Sequence, residues 1–376
     1  MGWISRKTDK GSYVARYRDP AGREHSKSFR TRAEAKAFLN SVENAKQRGE
    51  WSDPAGAKLR FEDYSGQYLA GITHVRPGTK LKIEGHLRNQ ILPVFGRLPL
   101  GAIRPTDIRS WIAALQEDGL APATIAGIYR TFSKIMKTAV IDGLISRSPC
   151  IGIDLPKQTS HQEMKFLEPA QVEALADAIE PRYRALIFMA AYTGMRWGEL
   201  AALRVRRLNL LKGTVDVSES LAEINGHFHI QPPKTGKPRT ISLPRSLSEM
   251  LGEHIGHYPS EDGFVFSSPE GKPLRRNFYS RNYLPALIAS GLDPELCLCT
   301  NRQCQKRHRP IYRFHDLRHT CAALLIAQGA HPKEIQERLG HSTITLTFDR
   351  YGHLFPSLDE RLRDGLDKMI RTGRFI

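Results

Sequence analysis

Toward the C-terminal end of the 376-residue chain, His315-Asp316-Leu317-Arg318-His319 is followed by Leu339-Gly340-His341 and then by Tyr351. Imidazoles, a guanidinium and a phenol in that order suit attack of a tyrosine oxygen on a phosphodiester, a covalent chemistry that asks for no metal. Such an attack needs the charge on the non-bridging oxygens neutralised. Guanidiniums do this well because they are planar, permanently charged and able to hold two oxygens. Arg318 is one candidate. Arg196 is the other: it follows the Thr193-Gly194 helix stop, where a side chain emerges toward an anion, and Glu199 one turn on can hold it. An Arg-Glu pair standing alone would read as a surface ion pair of little weight, but here it belongs to an ordered set.

A tyrosine with an ordinary pKa of about 10 must lose its proton during attack, and the departing 5′ oxygen must gain one. His315 is the candidate acceptor. The candidate donor is a lysine, Lys234 or Lys237, on the turn Pro232-Pro233-Lys234-Thr235-Gly236-Lys237-Pro238-Arg239 between two strand signals. His341 adds a hydrogen bond to the phosphate, stabilising charge as it develops.

Five stretches in order then resemble the tyrosine recombinases of the phage integrase family. They are Thr193-Gly194-Met195-Arg196-Trp197-Gly198-Glu199-Leu200, Pro233-Lys234-Thr235, Phe314-His315-Asp316-Leu317-Arg318-His319-Thr320, Leu339-Gly340-His341-Ser342 and Asp349-Arg350-Tyr351-Gly352-His353. Singly they are weak signals; order and spacing carry the likeness. The resemblance implies six catalytic roles, for Arg196, Lys234, His315, Arg318, His341 and Tyr351, with Tyr351 as nucleophile and Lys234 preferred over Lys237. It implies a 3′-phosphotyrosyl ester and a free 5′-hydroxyl that attacks the partner strand through a four-way junction. Four protomers would act on two duplexes as a homotetramer, integrating or excising mobile DNA, with an accessory DNA-bending or directionality factor as a further partner. Because the ester conserves the bond energy, no cofactor is required for catalysis.

Composition fits a nucleic-acid partner. Lys and Arg number 56 against 39 Asp and Glu, a formal charge of +17, which favours a polyanion: double-stranded DNA first, an anionic membrane surface a distant second. No apolar run is long enough to span a bilayer and the first residues lack a secretory signal, so the expected location is the cytoplasm, at the nucleoid when bound to DNA. Five cysteines, three of them crowded together, argue against a disulfide framework.

The expected fold class is mainly α with small β-sheets (α+β), in three parts. Residues 1–57 read as a small basic sheet-plus-helix module. Tyr13, Ala15 and Tyr17 alternate with Val14, Arg16 and Arg18, a second strand lies around Ser26 to Phe29, and Thr31-Arg32-Ala33-Glu34 is a capping box opening a helix. This module resembles the arm-type DNA-binding domains of integrases. Residues 58–150 read as helical and resemble the core-binding domain that closes a clamp on DNA. Phe61, Tyr64, Tyr68 and Leu69 share one face, Ile108, Trp111, Ile112 and Leu115 another, and Thr124 caps a helix carrying Ile125, Ile128, Phe132, Ile135, Met136, Ala139 and Val140. Residues 151–165, with Pro156 and the polar run 157–162, are an interdomain linker. Residues 166–376 are the catalytic domain. Its expected elements are a helix opened by Leu167-Glu168-Pro169, an apolar helix from Tyr183 to Tyr192, and strands at 214–217, 227–230 and 239–243. Leu358, Leu362, Leu366, Met369 and Ile370 recur at helical spacing in a C-terminal helix that packs on its own domain or docks on a neighbour.

An insertion between Gly291 and Arg313 brings Cys297, Cys299, Cys304 and His308, three thiolates and an imidazole that tetrahedral zinc accepts. Cys-x-Cys is tighter than the pairs of familiar fingers, so structural zinc and a loop with incidental cysteines both stay open. Arg302, Lys306, Arg307 and Arg309 make the loop a candidate phosphate contact either way. Two other functions share the basic charge: a type IB topoisomerase-like strand transferase, which relaxes supercoils without exchanging partners, and a non-catalytic sequence-specific DNA-binding protein, which forms no covalent adduct.

Overall fold

The computed structural model describes residues 2–6, 12–20, 22–48, 51, 53–157, 164–299, 304, 307–355, 363, 366–367 and 369–371. Expectations placed on residues 158–163, Arg302, Lys306, Leu358 and Leu362 lie outside the described residues. The chain divides into two units, 1–161 and 162–376.

In the first unit β1 (Trp3–Arg6), β2 (Tyr13–Arg18) and β3 (Glu24–Phe29) form an antiparallel sheet with β2 in the middle. The period-2 pleat sends Ala15 and Tyr17 inward and leaves Arg16 and Arg18 exposed. Helix α1 (Arg32–Gln47) covers the inner face with Ala35, Leu39 and Val42. The Glu34 amide donates to Thr31 Oγ1 at 3.2 Å and the Thr31 amide donates to the Glu34 carboxylate, the reciprocal cap legible in the sequence.

Helices α2 (Phe61–Gly71), α3 (Pro77–His86), α4 (Leu92–Phe95), α5 (Pro105–Glu117) and α6 (Pro122–Ile141) follow. Their apolar stripes converge on the buried Phe132, which stacks on Phe95 at 4.7 Å between ring centroids and meets Phe61 and Trp111 at 5.3 and 5.5 Å. α6 begins ahead of the expected Thr124 cap. Pro122, whose ring presets a helical φ and whose missing amide would have no partner there, opens the helix, and Thr124 falls inside its first turn.

The second unit contains α7 (Pro169–Ala178), α8 (Arg184–Thr193), α9 (Trp197–Ala201), β4 (Leu208–Asn209), β5 (Thr214–Val217), β6 (Ser220–Ile224), β7 (His227–Gln231) and β8 (Arg239–Ser242). Then come α10 (Arg245–His257), α11 (Leu284–Ala289), α12 (Asp316–Ala327), α13 (Pro332–Leu339) and α14 (Ile344–Tyr351). The strands make two small antiparallel sheets, β4-β5-β8 and β6-β7, so the chain is mainly helical with small sheets, as expected. α8 is apolar on nearly every face because α7, α10 and α12 surround it. It stops at Gly194, in the left-handed region at φ 66. A Cβ there would also lie 2.4 Å from Leu339 Cδ2, so conformation and close approach both demand glycine. Leu366 and Ile370 are exposed.

Truncating the central ring of the aromatic cluster, Phe132→Ala, is expected to destabilise the helical part of the first unit by ~3–5 kcal/mol. Chemical denaturation followed by tryptophan fluorescence measures this, and a change below about 1 kcal/mol would mean the cluster collapses around the cavity without loss.

Candidate active site

Helix α13 ends with Gly340 in the left-handed conformation, φ 64. The last carbonyls of a helix have no partner within it and carry the negative end of the helix dipole. Three guanidiniums take them. Arg239 Nε donates to the Arg338 carbonyl at 2.9 Å, Arg318 Nη2 to the Leu339 carbonyl, and Arg196 Nη2 to the Gly340 carbonyl at 3.1 Å. Arg318 also donates through Nη1 to the Gly194 carbonyl, tying the end of α8 to the end of α13.

Glu199 fixes two of these cations from behind. Buried in α9, it accepts from the Arg196 amide at 2.9 Å and from Arg196 Nη1 at 3.0 Å. Arg239 grips both carboxylate oxygens, at 3.1 and 2.7 Å. Burial pushes the Glu199 carboxyl up, but Arg239 and then Arg196 outweigh it and hold the pKa below the ordinary value. The expected Arg196–Glu199 pair is present, then, as part of a triad around the buried Glu199 whose third member, Arg239, was not expected as one.

Tyr351 closes α14 and is buried. Its phenol lies 2.8 Å from Nδ1 of His319, whose Nε2 is 4.0 Å from the Asp316 carboxylate, itself paired with Arg313 at 2.9 Å. Phenol, imidazole and carboxylate thus lie in series. The residue expected as proton acceptor is His315. His315 is the N-cap residue of α12 and exposed; it meets His319 edge-on at 5.2 Å, and the phenol's hydrogen-bond partner is His319 instead. One turn further in, His319 faces the phenol. The available signal was its place three residues after Asp316, one helical turn, inside a motif already singled out.

His341 Nδ1 is engaged by Thr347 Oγ1 at 2.9 Å, and its ring lies parallel to that of Tyr351 at 6.3 Å, which leaves Nε2 for a phosphate. Lys234 stands apart: it is exposed on the turn between β7 and β8, and among the described residues it makes no hydrogen bond or ion pair with the other five. Lys237 is exposed on the same turn. The structure thus gathers Arg196, His315, Arg318, His341 and Tyr351, and leaves Lys234 outside.

The electrostatics are those of a site waiting for an anion. Burial lowers the pKa of His319 to about 4 and of His341 to about 3, and the surrounding cations, Arg318 and Arg350 among them, push the same way. Burial raises the Tyr351 phenol to about 12 against the opposing pull of Arg318 and Arg350. Burial and then Arg196 lower Arg318 to about 9, where it is still charged at neutral pH.

On the loop before α12, Cys297, Cys299, Cys304 and His308 come together with their ligand atoms all within 4.8 Å of one another. Arg307, expected to face phosphate, instead turns its guanidinium to the fully buried Asp293; Arg309 is exposed.

The sequence pattern of the phage integrase family matches residues 165–357, just over half of the chain. The chain belongs to the phage integrase family. The pattern of the phage integrase N-terminal SAM-like domain matches residues 60–116. The putative prophage phiRv2 integrase of Mycobacterium tuberculosis is 28% identical over 97% of this chain and 94% of its own length. The ICEBs1 integrase of Bacillus subtilis is 28% identical over 91% and 93%. A solved Tn1549 transposon integrase in complex with transposon right-end DNA shares the fold with a TM-score of 0.68 and 21% identity, over 83% of this chain and 100% of that one. A lambda integrase tetramer bound to a Holliday junction shares it at 0.61 and 20%, over 94% of each. The protein is accordingly a tyrosine-type site-specific recombinase.

Two outcomes follow for this recombinase. Glu199→Ala leaves two half-buried cations without their buried carboxylate and is expected to destabilise the second unit by ~3–5 kcal/mol, with Glu199→Gln intermediate, as read from denaturant midpoints. In DNA-free protein His319 binds its proton near pH 4 when folded against about 6.5 when unfolded, so its stabilising contribution is complete above 6.5 and is lost as the pH falls toward 4. Urea midpoints measured across that window should fall with acidification, and less steeply in His319→Asn; parallel curves would show that His319 is not the titrating group.

Proposed function

We propose that this recombinase cleaves and rejoins double-stranded DNA at specific sites through a 3′-phosphotyrosyl ester on Tyr351, integrating or excising a mobile element. The observation that carries the reading is the meeting of one phenol and two guanidiniums beside the end of a single helix. Arg196 and Arg318 hold the non-bridging oxygens of the scissile phosphate, and His341 Nε2 donates to one of them. His319 takes the phenolic proton as the tyrosine oxygen–phosphorus bond forms, and His315 stands beside it as a second imidazole at the phosphate. Lys234 delivers a proton to the 5′ oxygen as the phosphorus–oxygen bond breaks, its exposed turn joining the site on the DNA. Attack of a 5′-hydroxyl on the phosphotyrosine reverses these transfers and releases Tyr351.

The transfer asks nothing of a cofactor. A zinc ion held by Cys297, Cys299, Cys304 and His308 would be structural, for these residues include none of the reacting groups.

The same reading assigns residues 1–57 to an arm-type DNA site, 58–150 to the core site, 151–165 to the linker and 166–376 to catalysis. Support for the first comes from the exposed sheet face carrying Trp3, Arg16 and Arg18. The SAM-like match over residues 60–116 supports the second. A homotetramer on two duplexes, with the C-terminal helix docked on a neighbour and an accessory bending or directionality factor, accords with the lambda integrase tetramer on a Holliday junction. Work on chromosomal DNA sets the protein at the nucleoid in the cytoplasm, and no helix among the described residues is long and apolar enough to cross a membrane.

A nicked suicide substrate carrying the attachment sequence tests the mechanism. The unaltered protein should yield a covalent adduct that maps to Tyr351. Tyr351→Phe should bind the same DNA and yield none, and Arg318→Ala should slow adduct formation by ~10²–10³-fold, the range for losing a charge-stabilising donor. An undiminished adduct in Tyr351→Phe would remove the tyrosine from its role.

A further inference from the structure

Most of this unit is held by an apolar core, yet the described residues between Leu292 and Tyr312 are held together by polar bonds. Asp293, fully buried, accepts both Nη atoms of Arg307 and the Ile311 amide, the last at 2.7 Å. The Cys297 amide donates to the Arg307 carbonyl at 2.9 Å. These bonds pinch the loop at its base and bring Cys297 opposite His308. Between them the chain returns Cys299 and Cys304 to the same point, in the order Cys-x-Cys-x4-Cys-x3-His.

The geometry points to a structural zinc site formed by Cys297, Cys299, Cys304 and His308. All four ligand atoms lie within 4.8 Å of one another. Cys297 Sγ and Cys304 Sγ are 3.9 Å apart, close to the edge of about 3.8 Å that a tetrahedron with zinc–sulfur bonds of about 2.3 Å requires, and nearly twice the length of a disulfide bond. The imidazole is oriented to bind metal through its far nitrogen. His308 Nδ1 lies 3.0 Å from the Cys297 carbonyl, so that nitrogen carries the proton and Nε2 keeps the lone pair. Three thiolates and an imidazole are a soft, tetrahedral set that suits zinc over magnesium, calcium or manganese.

The site's position suggests what it holds. The pinched base leads through Pro310 to Arg313, which donates from its amide to Asp316 at 2.7 Å and from its guanidinium at 2.9 Å. Asp316 opens α12 and faces His319, the partner of the Tyr351 phenol. The metal therefore clips the segment that sets the entry of α12, and zinc removal should loosen His319 more than it unfolds the unit, whose apolar core does not involve these ligands.

The full-length protein, purified under reducing conditions, is the material for the test. Metal analysis should find about one zinc per chain, the number that a single four-ligand site holds. Cobalt(II) exchanged into the site should give the visible bands of tetrahedral coordination with a thiolate charge-transfer band in the near ultraviolet. Cys299→Ser, at an exposed position, should lose most of the zinc while keeping the far-ultraviolet circular dichroism of the parent, and Cys304→Ser should behave alike. A chain that takes up neither zinc nor cobalt, a Cys299→Ser protein that retains its full zinc, or a Cys297–Cys304 disulfide found by mass spectrometry after trapping the thiols would each overturn the assignment. None of these readouts depends on recombination activity, so the result stands apart from the role proposed for Tyr351.

Discussion

The constraint on which the site depends is the end of helix α13. Its three terminal carbonyls face inward, and arginines from three distant stretches of chain, Arg196, Arg239 and Arg318, converge on them. A cation near a helix C-terminus gains about 0.3–1 kcal/mol when exposed and up to about 2 when partly buried. Those gains, with the Glu199 carboxylate, offset the mutual repulsion of guanidiniums packed together with no substrate between them. Gly340 makes the arrangement possible, since its left-handed backbone ends the helix and a Cβ there would sit 3.2 Å from the Arg239 side chain. The donors are consequently in place before any phosphate arrives. Charge stabilisation that needs no reorganisation at the moment of reaction is the form of catalysis that electrostatics supplies most effectively.

That preorganisation has a second effect. Burial first, with the fixed cations adding to it, keeps the imidazoles neutral, and burial keeps the phenol protonated. The site is therefore short of one thing, a negative charge, and a phosphodiester supplies it. Entry of the anion between Arg196 and Arg318 would raise the proton affinity of the neighbouring histidines, so that His319 becomes a better acceptor as the phosphate is bound. On the proposed mechanism, substrate binding and activation of the nucleophile would in this way be one electrostatic event.

Much of this was written in the sequence, and what was missed has identifiable causes. Motifs on helices were legible because caps and breaks are local: the Thr31 capping box, the Gly194 stop and the apolar face of α6 all depend on residues within a few positions of one another. Strand β6 escaped although its signal was present, for Asn225-Gly226 takes up positive φ at both residues and joins β6 to β7 as the two-residue hairpin that this dipeptide favours. Arg239 was read only as part of a strand, because nothing local announces that its side chain reaches Glu199, forty residues earlier. That His319, and not His315, is hydrogen-bonded to the phenol is a matter of helix phase, which is set by where α12 starts. Lys234 rests on motif order alone, as its turn is not drawn into the cluster.

The distances along the chain bear on when the site can exist at all. Arg318 reaches across 124 residues to the Gly194 carbonyl and Arg196 across 144 to that of Gly340, while the phenol and His319 are only 32 apart. Contacts of large sequence separation carry the greatest loop-closure entropy and form once the intervening elements are in place. Tyr351 and His319 can therefore meet locally, through α12, α13 and α14, before the arginine pocket is closed, but a phenol and an imidazole without the guanidiniums have nothing to hold a phosphate. On the proposed mechanism, competence for cleavage would thus be tied to completion of the fold by the same bonds that fix the end of α13. A partly folded chain that bound DNA through its basic surface would then lack the machinery to cut it.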